Sequence, residues 1–205
     1  MNQPAPHKLY SAELPLILAS QSPRRKELMQ AAGYPFRVDA PDPKAECGIC
    51  SRETPPELVV RLAYQKGADV AHRTDRGLVI SCDTVAECMG KILGKPEDRK
   101  HAREMLDLLS GRSHSVYSGL CLWNRPNDKR IVRVAVSRLY MQPLSEQQIN
   151  DYLDSELWVG KAGAFGYQDD HPWLKLTEGS PSNVVGLPME LLAEMLTELE
   201  QSTVR

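Results

Sequence analysis

The stretch Leu78-Val79-Ile80-Ser81-Cys82 limits the folds open to this chain more than any other. It is short, almost continuously apolar, and ends against Asp83 and Thr84. A strand of that kind is buried on both faces, so it needs layers packed above and below it. A second apolar run, Leu14-Pro-Leu-Ile-Leu-Ala19, precedes a helical pattern over residues 23–32 that Gly33 closes. Helical patterns recur after residues 54, 98, 145 and 188, with strand-like stretches between them. Such interleaving gives an α/β class, or α+β, with a mixed sheet.

Local signals set the expected boundaries. Thr54 with Glu57, and Ser145 with Gln148, read as capping boxes that start helices. Ala102, Met105, Leu106 and Leu109 fall at helical spacing in residues 98–109. Residues 115–123 and 130–140 read as consecutive strands joined by a polar turn. Residues 173–177 read as a strand and 178–187 as a loop. Pro188 opens a last helix whose apolar face is Leu192, Met195, Leu196 and Leu199. Residues 39–53 read as a long loop. Residues 1–13 read as a disordered tail, which leaves 14–205 as one domain with room for two lobes around a cleft.

Composition narrows the function. A net charge of −2 argues against a nucleic acid polymer as partner, because such domains carry a basic excess. No apolar run reaches membrane-spanning length. The chain carries no export signal, so its five cysteines read as reduced thiols and its location as cytoplasmic. Cys47-x-x-Cys50 lacks the second ligand pair of a zinc site and the context of a redox motif, and reads as two loop thiols.

Four segments carry unusual chemistry. Ser22 reads as an N-cap and Pro23 as the first helical residue, followed by Arg24, Arg25 and Lys26. Three cations oppose the positive end of the helix dipole, an arrangement that suits a docked phosphate. Asp83-Thr84 places a carboxylate just past the end of the buried strand, where ligands bind in open α/β sheets. It can hold a hard divalent cation or accept a proton from water. Gly94-Lys95-Pro96 fixes a lysine on a turn as a point charge for phosphate. Lys161-Ala-Gly-Ala-Phe-Gly166, with Tyr167-Gln168, offers a close backbone approach and an amide able to read a base edge. Together they suit metal-assisted attack on a nucleotide phosphate.

These motifs, in this order, resemble those of the Maf family of nucleoside triphosphate pyrophosphatases, also described as septum-formation inhibitors. The matching pieces are Leu18-Ala-Ser-Gln-Ser-Pro-Arg-Arg-Lys-Glu-Leu28, Cys82-Asp-Thr-Val85, Ile92-Leu-Gly-Lys-Pro96, Leu109-Ser-Gly-Arg112, Lys161 to Gly166, and Glu178-Gly-Ser-Pro-Ser-Asn-Val-Val-Gly-Leu-Pro188. The resemblance implies an inosine triphosphatase-like fold: a long twisted mixed sheet with flanking helices, in two lobes. It implies Mg²⁺ or Mn²⁺ dependence, nucleoside triphosphates as substrates, a homodimer, and a house-cleaning role linked to cell-division arrest. It makes Asp83 the catalytic proton acceptor and metal ligand, with Lys66 and Lys95 as phosphate-binding lysines. Glu46 stands for the acidic residue usual after Phe36, as second metal ligand. Arg24, Thr84 and Gln168 fall where the family tunes base specificity, and Ser22, Arg25, Arg112 and Lys161 join the substrate site. Thr84 and the Lys-Ala-Gly-Ala-aromatic-Gly-x-Gln run resemble the dTTP/UTP branch. The alternatives are a 7-methyl-GTP specificity and a non-catalytic nucleotide-binding regulator of septum formation.

Overall fold

The structure, a computed structural model, describes residues 14–46 and 53–203. The expected tail over residues 1–13, and Cys47 and Cys50, lie outside the described residues. Seven strands form one mixed sheet: β1 (Leu16–Leu18), β2 (Phe36–Val38), β3 (Gly77–Cys88), β4 (Lys91–Leu93), β5 (Ser113–Arg125), β6 (Lys129–Met141) and β7 (Leu174–Glu178). Their order is β2-β1-β3-β5-β6-β7, with β4 attached to β3. β1 is parallel to β2 and β3, and the other pairs are antiparallel. The helices are α1 (Pro23–Ala31), α2 (Pro55–His72), α3 (Arg99–Leu109), α4 (Glu146–Asp154), α5 (Pro181–Val185) and α6 (Met189–Thr203).

Cap chemistry fixes several boundaries as read. Both capping boxes are present, at Thr54/Glu57 and Ser145/Gln148, and Asp98 caps α3 through the His101 N–H. Ser22 has the backbone geometry of a cap, but its side chain makes no capping bond. Residues 91–93 form a strand paired to β3. Two expectations need correction. β3 does not end at Cys82: it runs on through Asp83 and Thr84 to Cys88, because Val85, Ala86 and Cys88 are buried and hold it in the sheet. Residues 181–185, read as loop, form a helix started by Pro181 and capped by Ser180.

Two apolar cores lie along one face of the long strands. One gathers Leu16, Leu18, Leu78, Ile80 and Leu122 under α1 and α6, where Leu192, Met195, Leu196 and Leu199 all point inward. The other gathers Ala86, Cys88 and Leu139 with Ala102, Met105, Leu106 and Leu109 of α3 and Ile149, Tyr152 and Leu153 of α4. Each fully buried leucine or methionine there contributes about 1.5–3 kcal/mol. On the opposite face, α2 covers Val79, Cys121 and Trp123.

That helix sits unusually close. A Cβ built on Gly119 of β5 would stand 2.8 Å from the Val60 nitrogen and closer still to the Val59 carbonyl. One on Gly67 of α2 would stand 2.6 Å from Ser81 Oγ. Ser81 in turn donates to the Ala63 carbonyl at 2.7 Å. Two glycines, one on each partner, therefore let helix and sheet backbones approach within side-chain range.

β1 stops at Leu18, opposite Ile80, and β4 begins its pairing at Ala86. Between those points no strand among the described residues pairs with the β3 edge. Asp83 and Thr84 lie in that gap.

Candidate active site

A cleft of about 650 Å³ opens at the gap. It is lined by residues of both lobes, from Ser22, Arg24 and Arg25 at the start of α1 to Lys161 and Gln168 in the glycine-rich segment. Glu46, Lys66, Asp83, Thr84 and Lys95 also line it. Five cationic side chains thus face two carboxylates, an excess that favours a polyanionic ligand.

The centre is an ion pair. Lys66, on the α2 face that the glycines bring close, is 8% exposed and donates to Asp83 Oδ1 at 2.5 Å. Lys66 Nζ also lies 3.2 Å from Glu46 Oε2. Two carboxylates from distant parts of the chain therefore converge on one point. The segment bearing Glu46 is tied to the far end of α2 by Arg73, which donates to Asp39 Oδ1 at 2.8 Å and to the Ala40 carbonyl at 2.6 Å. Asp69 completes the clamp by accepting from Arg73 and from the Asp42 N–H.

The second wall is built around Arg25. Its Nε donates to the Gly186 carbonyl at 2.7 Å, and its terminal nitrogens reach Ser20 Oγ and Thr84 Oγ1 at 3.3 Å each. Thr84 Oγ1 also lies 2.8 Å from Ser118 Oγ. Behind it, buried Asn183 donates to the Val116 carbonyl at 3.2 Å and to Ser137 Oγ at 2.9 Å, pinning α5 to the sheet. Ser118 carries no sequence signal as a site residue, since a buried serine looks like any other in the sequence, and Asn183 stands out only as one letter of the motif over residues 178–188.

Arg24 diverges from its neighbour. It crosses the cleft and donates to the Gly160 carbonyl at 2.9 Å. Burial, and then the charge of Arg25, lower its affinity for its proton. Lys95 is likewise pushed down, by burial first and then by Lys66 and Arg25. In both, burial disfavours the charged form first and the neighbouring cations add to it. Lys161, 7% exposed, is paired with Asp169, a residue not singled out from the sequence. Arg112 does not line the cleft: its guanidinium donates to the carbonyls of Leu108 and Asp107 at the end of α3.

No group of three or more histidine, cysteine, aspartate or glutamate side chains is gathered as a metal centre among the described residues. The Asp83–Glu46 pair nonetheless fits a hard cation. Mg²⁺ takes one or two carboxylates and completes its shell with phosphate oxygens and water.

Residues 15–199 match the family described as Maf-like protein. The chain belongs to the Maf family. Among relatives, it is 60% identical over 188 residues to a protein of Rhodopirellula baltica named dTTP/UTP pyrophosphatase, covering 91% of this chain and 83% of that one. It is 40% identical over 182 residues to one of the same name from Geotalea uraniireducens, covering 88% and 93%. Among solved structures, a HAM1 protein from Coxiella burnetii aligns with a TM-score of 0.50 at 17% identity, over 90% of this chain and 99% of that one. This last likeness concerns the fold, which this Maf chain shares with HAM1-like proteins.

Proposed function

We propose that this Maf protein hydrolyses nucleoside triphosphates to the nucleoside monophosphate and pyrophosphate, taking dTTP, UTP or modified pyrimidine nucleotides. One observation carries the reading: a buried carboxylate, Asp83, bound to Lys66 at 2.5 Å, at the centre of a cleft with five cations. The relatives named dTTP/UTP pyrophosphatase supply the choice of pyrimidines.

The triphosphate lies across the cleft, its charge met by Arg25, Lys66 and Lys95 and by the free N–H groups at the start of α1. Lys66 holds one oxygen of Asp83, which leaves the other to accept a proton from water. That water attacks the α-phosphorus; the new P–O bond forms as the bond to the β-phosphate oxygen breaks, and pyrophosphate leaves with the electron pair. Lys95 and Arg25 stabilise the charge that develops on it. A divalent cation, Mg²⁺ or Mn²⁺, would be held by Asp83 and Glu46 and would supply further charge neutralisation for the polyphosphate. Gln168, Thr84 and Arg24 face the base side.

No described helix is long and apolar enough to cross a membrane. A homodimer, carried over from the resemblance, is checked by light scattering. The reaction is tested by pyrophosphate release from dTTP, UTP, CTP, 5-methyl-UTP and 7-methyl-GTP with Mg²⁺ or Mn²⁺. Asp83→Asn should lower turnover by about 10²-fold or more. Full activity in that variant, or no release from any substrate by the wild type, refutes the proposal.

A further inference from the structure

Lys161 and Asp169 bracket the glycine-rich segment. Their ion pair is nearly enclosed, with side-chain exposures of 9% and 11%. It passes directly over the backbone of Gly166: a Cβ there would collide with both the Lys161 ammonium and the Asp169 carboxylate. Only glycine leaves room for the pair. His171 backs the carboxylate, its Nε2 3.9 Å from Asp169 Oδ2 and its ring stacked on Trp173 at 4.5 Å and 10°.

The bracketed segment lines the cleft, and under the proposed function it meets the base. Gly160 precedes Lys161 and accepts from Arg24. Gln168 lies in the short 3-10 turn Tyr167–Asp169, one peptide from the paired carboxylate. The turn is closed by the Asp169 N–H donating to the Gly166 carbonyl at 3.3 Å.

A glutamine amide does not by itself choose between pyrimidines. It offers a donor and an acceptor side by side, which match the carbonyl and ring N–H of uracil. Rotated by half a turn, it matches the amino group and ring nitrogen of cytosine equally well. Selection must come from where the backbone holds the amide and from the charge around it. An unpaired Lys161 ammonium would be a mobile donor on the same wall.

We propose that Asp169 is a positioning residue: by holding Lys161 across Gly166 it fixes the segment 160–168, and so sets how Gln168 meets the base. This rests on the nucleotide reading of the cleft and names what gives that site its base selectivity.

The test is calorimetric binding of α,β-imido-UTP and α,β-imido-CTP, which reads selectivity without turnover. The wild type should prefer the uracil analogue by about tenfold or more. Asp169→Asn should weaken the uracil analogue about tenfold and leave the cytosine analogue within about threefold, collapsing the preference. Lys161→Met/Asp169→Leu replaces the pair by apolar groups, a change folded proteins tolerate, and should lose the preference too. A merely structural role would weaken both analogues alike. Equal weakening, or a wild-type preference retained in either variant, overturns the role of Asp169. Failure of the wild type to bind either analogue overturns the nucleotide reading itself.

Discussion

Substituting Gly119 with alanine would drive a methyl group into the backbone of α2. The added carbon would stand 2.8 Å from the Val60 nitrogen, with the Val59 carbonyl nearer, and neither is a flexible side chain. Ordinary contact needs roughly 3.5 Å, so helix and sheet must part by a distance on the order of 1 Å. Overpacking of this kind costs about 1–3 kcal/mol, and rigid backbone puts this site at the upper end. At about 3 kcal/mol, a chain of this size loses about 6–12 °C in Tm. The displacement also reaches the chemistry, since Lys66 lies two turns along α2 from Val59 and its 2.5 Å bond to Asp83 depends on the helix seat. Gly119 is the residue directly opposite Asp83 in the ladder. A misplacement of about 1 Å in a catalytic array can cost about 10²-fold. Thermal unfolding and pyrophosphate release, run on the same Gly119→Ala preparation, read the two effects together. A Tm within about 2 °C of wild type and turnover within about threefold would refute the claim that this glycine seats the helix.

Asn183→Ala should lose about 1–3 kcal/mol in urea titrations, because the two bonds it donates, to the Val116 carbonyl and to Ser137 Oγ, both go, and KM should rise as α5 loosens. Burial holds the imidazole of His114 down at about 4, so below about pH 6.5 the unfolded chain takes up a proton that the folded one refuses. Stability should therefore fall between about pH 6.5 and 4 by about 3 kcal/mol through this group, and His114→Phe should flatten that limb of the pH curve. Arg112→Ala should keep kcat/KM within about threefold and lower Tm slightly, since Arg112 only caps carbonyls at the end of α3; a large loss of activity would return Arg112 to the substrate site.

The parts legible in the sequence are those set by neighbours in the chain. The capping boxes at Thr54 and Ser145 were readable because their donors and acceptors sit three residues apart. The cations at the start of α1 stood out because they contradict the local helix dipole. The full length of β3 was hidden by Asp83 and Thr84, polar residues that interrupt an apolar run because they serve the cleft. β2, β4 and α5 are too short to show a period. Lys66 reads as an ordinary helix cation until folding brings Asp83 and Glu46 to it. Asp169 matters only through Lys161, eight residues away across a turn, and Arg112 shares a motif with the family while its guanidinium folds back on the end of α3.

Consecutive residues of a strand point to opposite faces and ordinarily serve different neighbours. The break in pairing along the β3 edge, between Ile80 and Ala86, relaxes that separation. Asp83 turns to Lys66 on one side and Thr84 to Arg25 on the other, yet both border the same cleft. A molecule entering edge-on meets the two faces at once, so bond-breaking and recognition are adjacent letters of one sequence. Under the proposed function, a change at position 84 acts on the Arg25 side of the strand and leaves the Asp83–Lys66 contact on the other, so substrate choice is adjustable apart from the reaction.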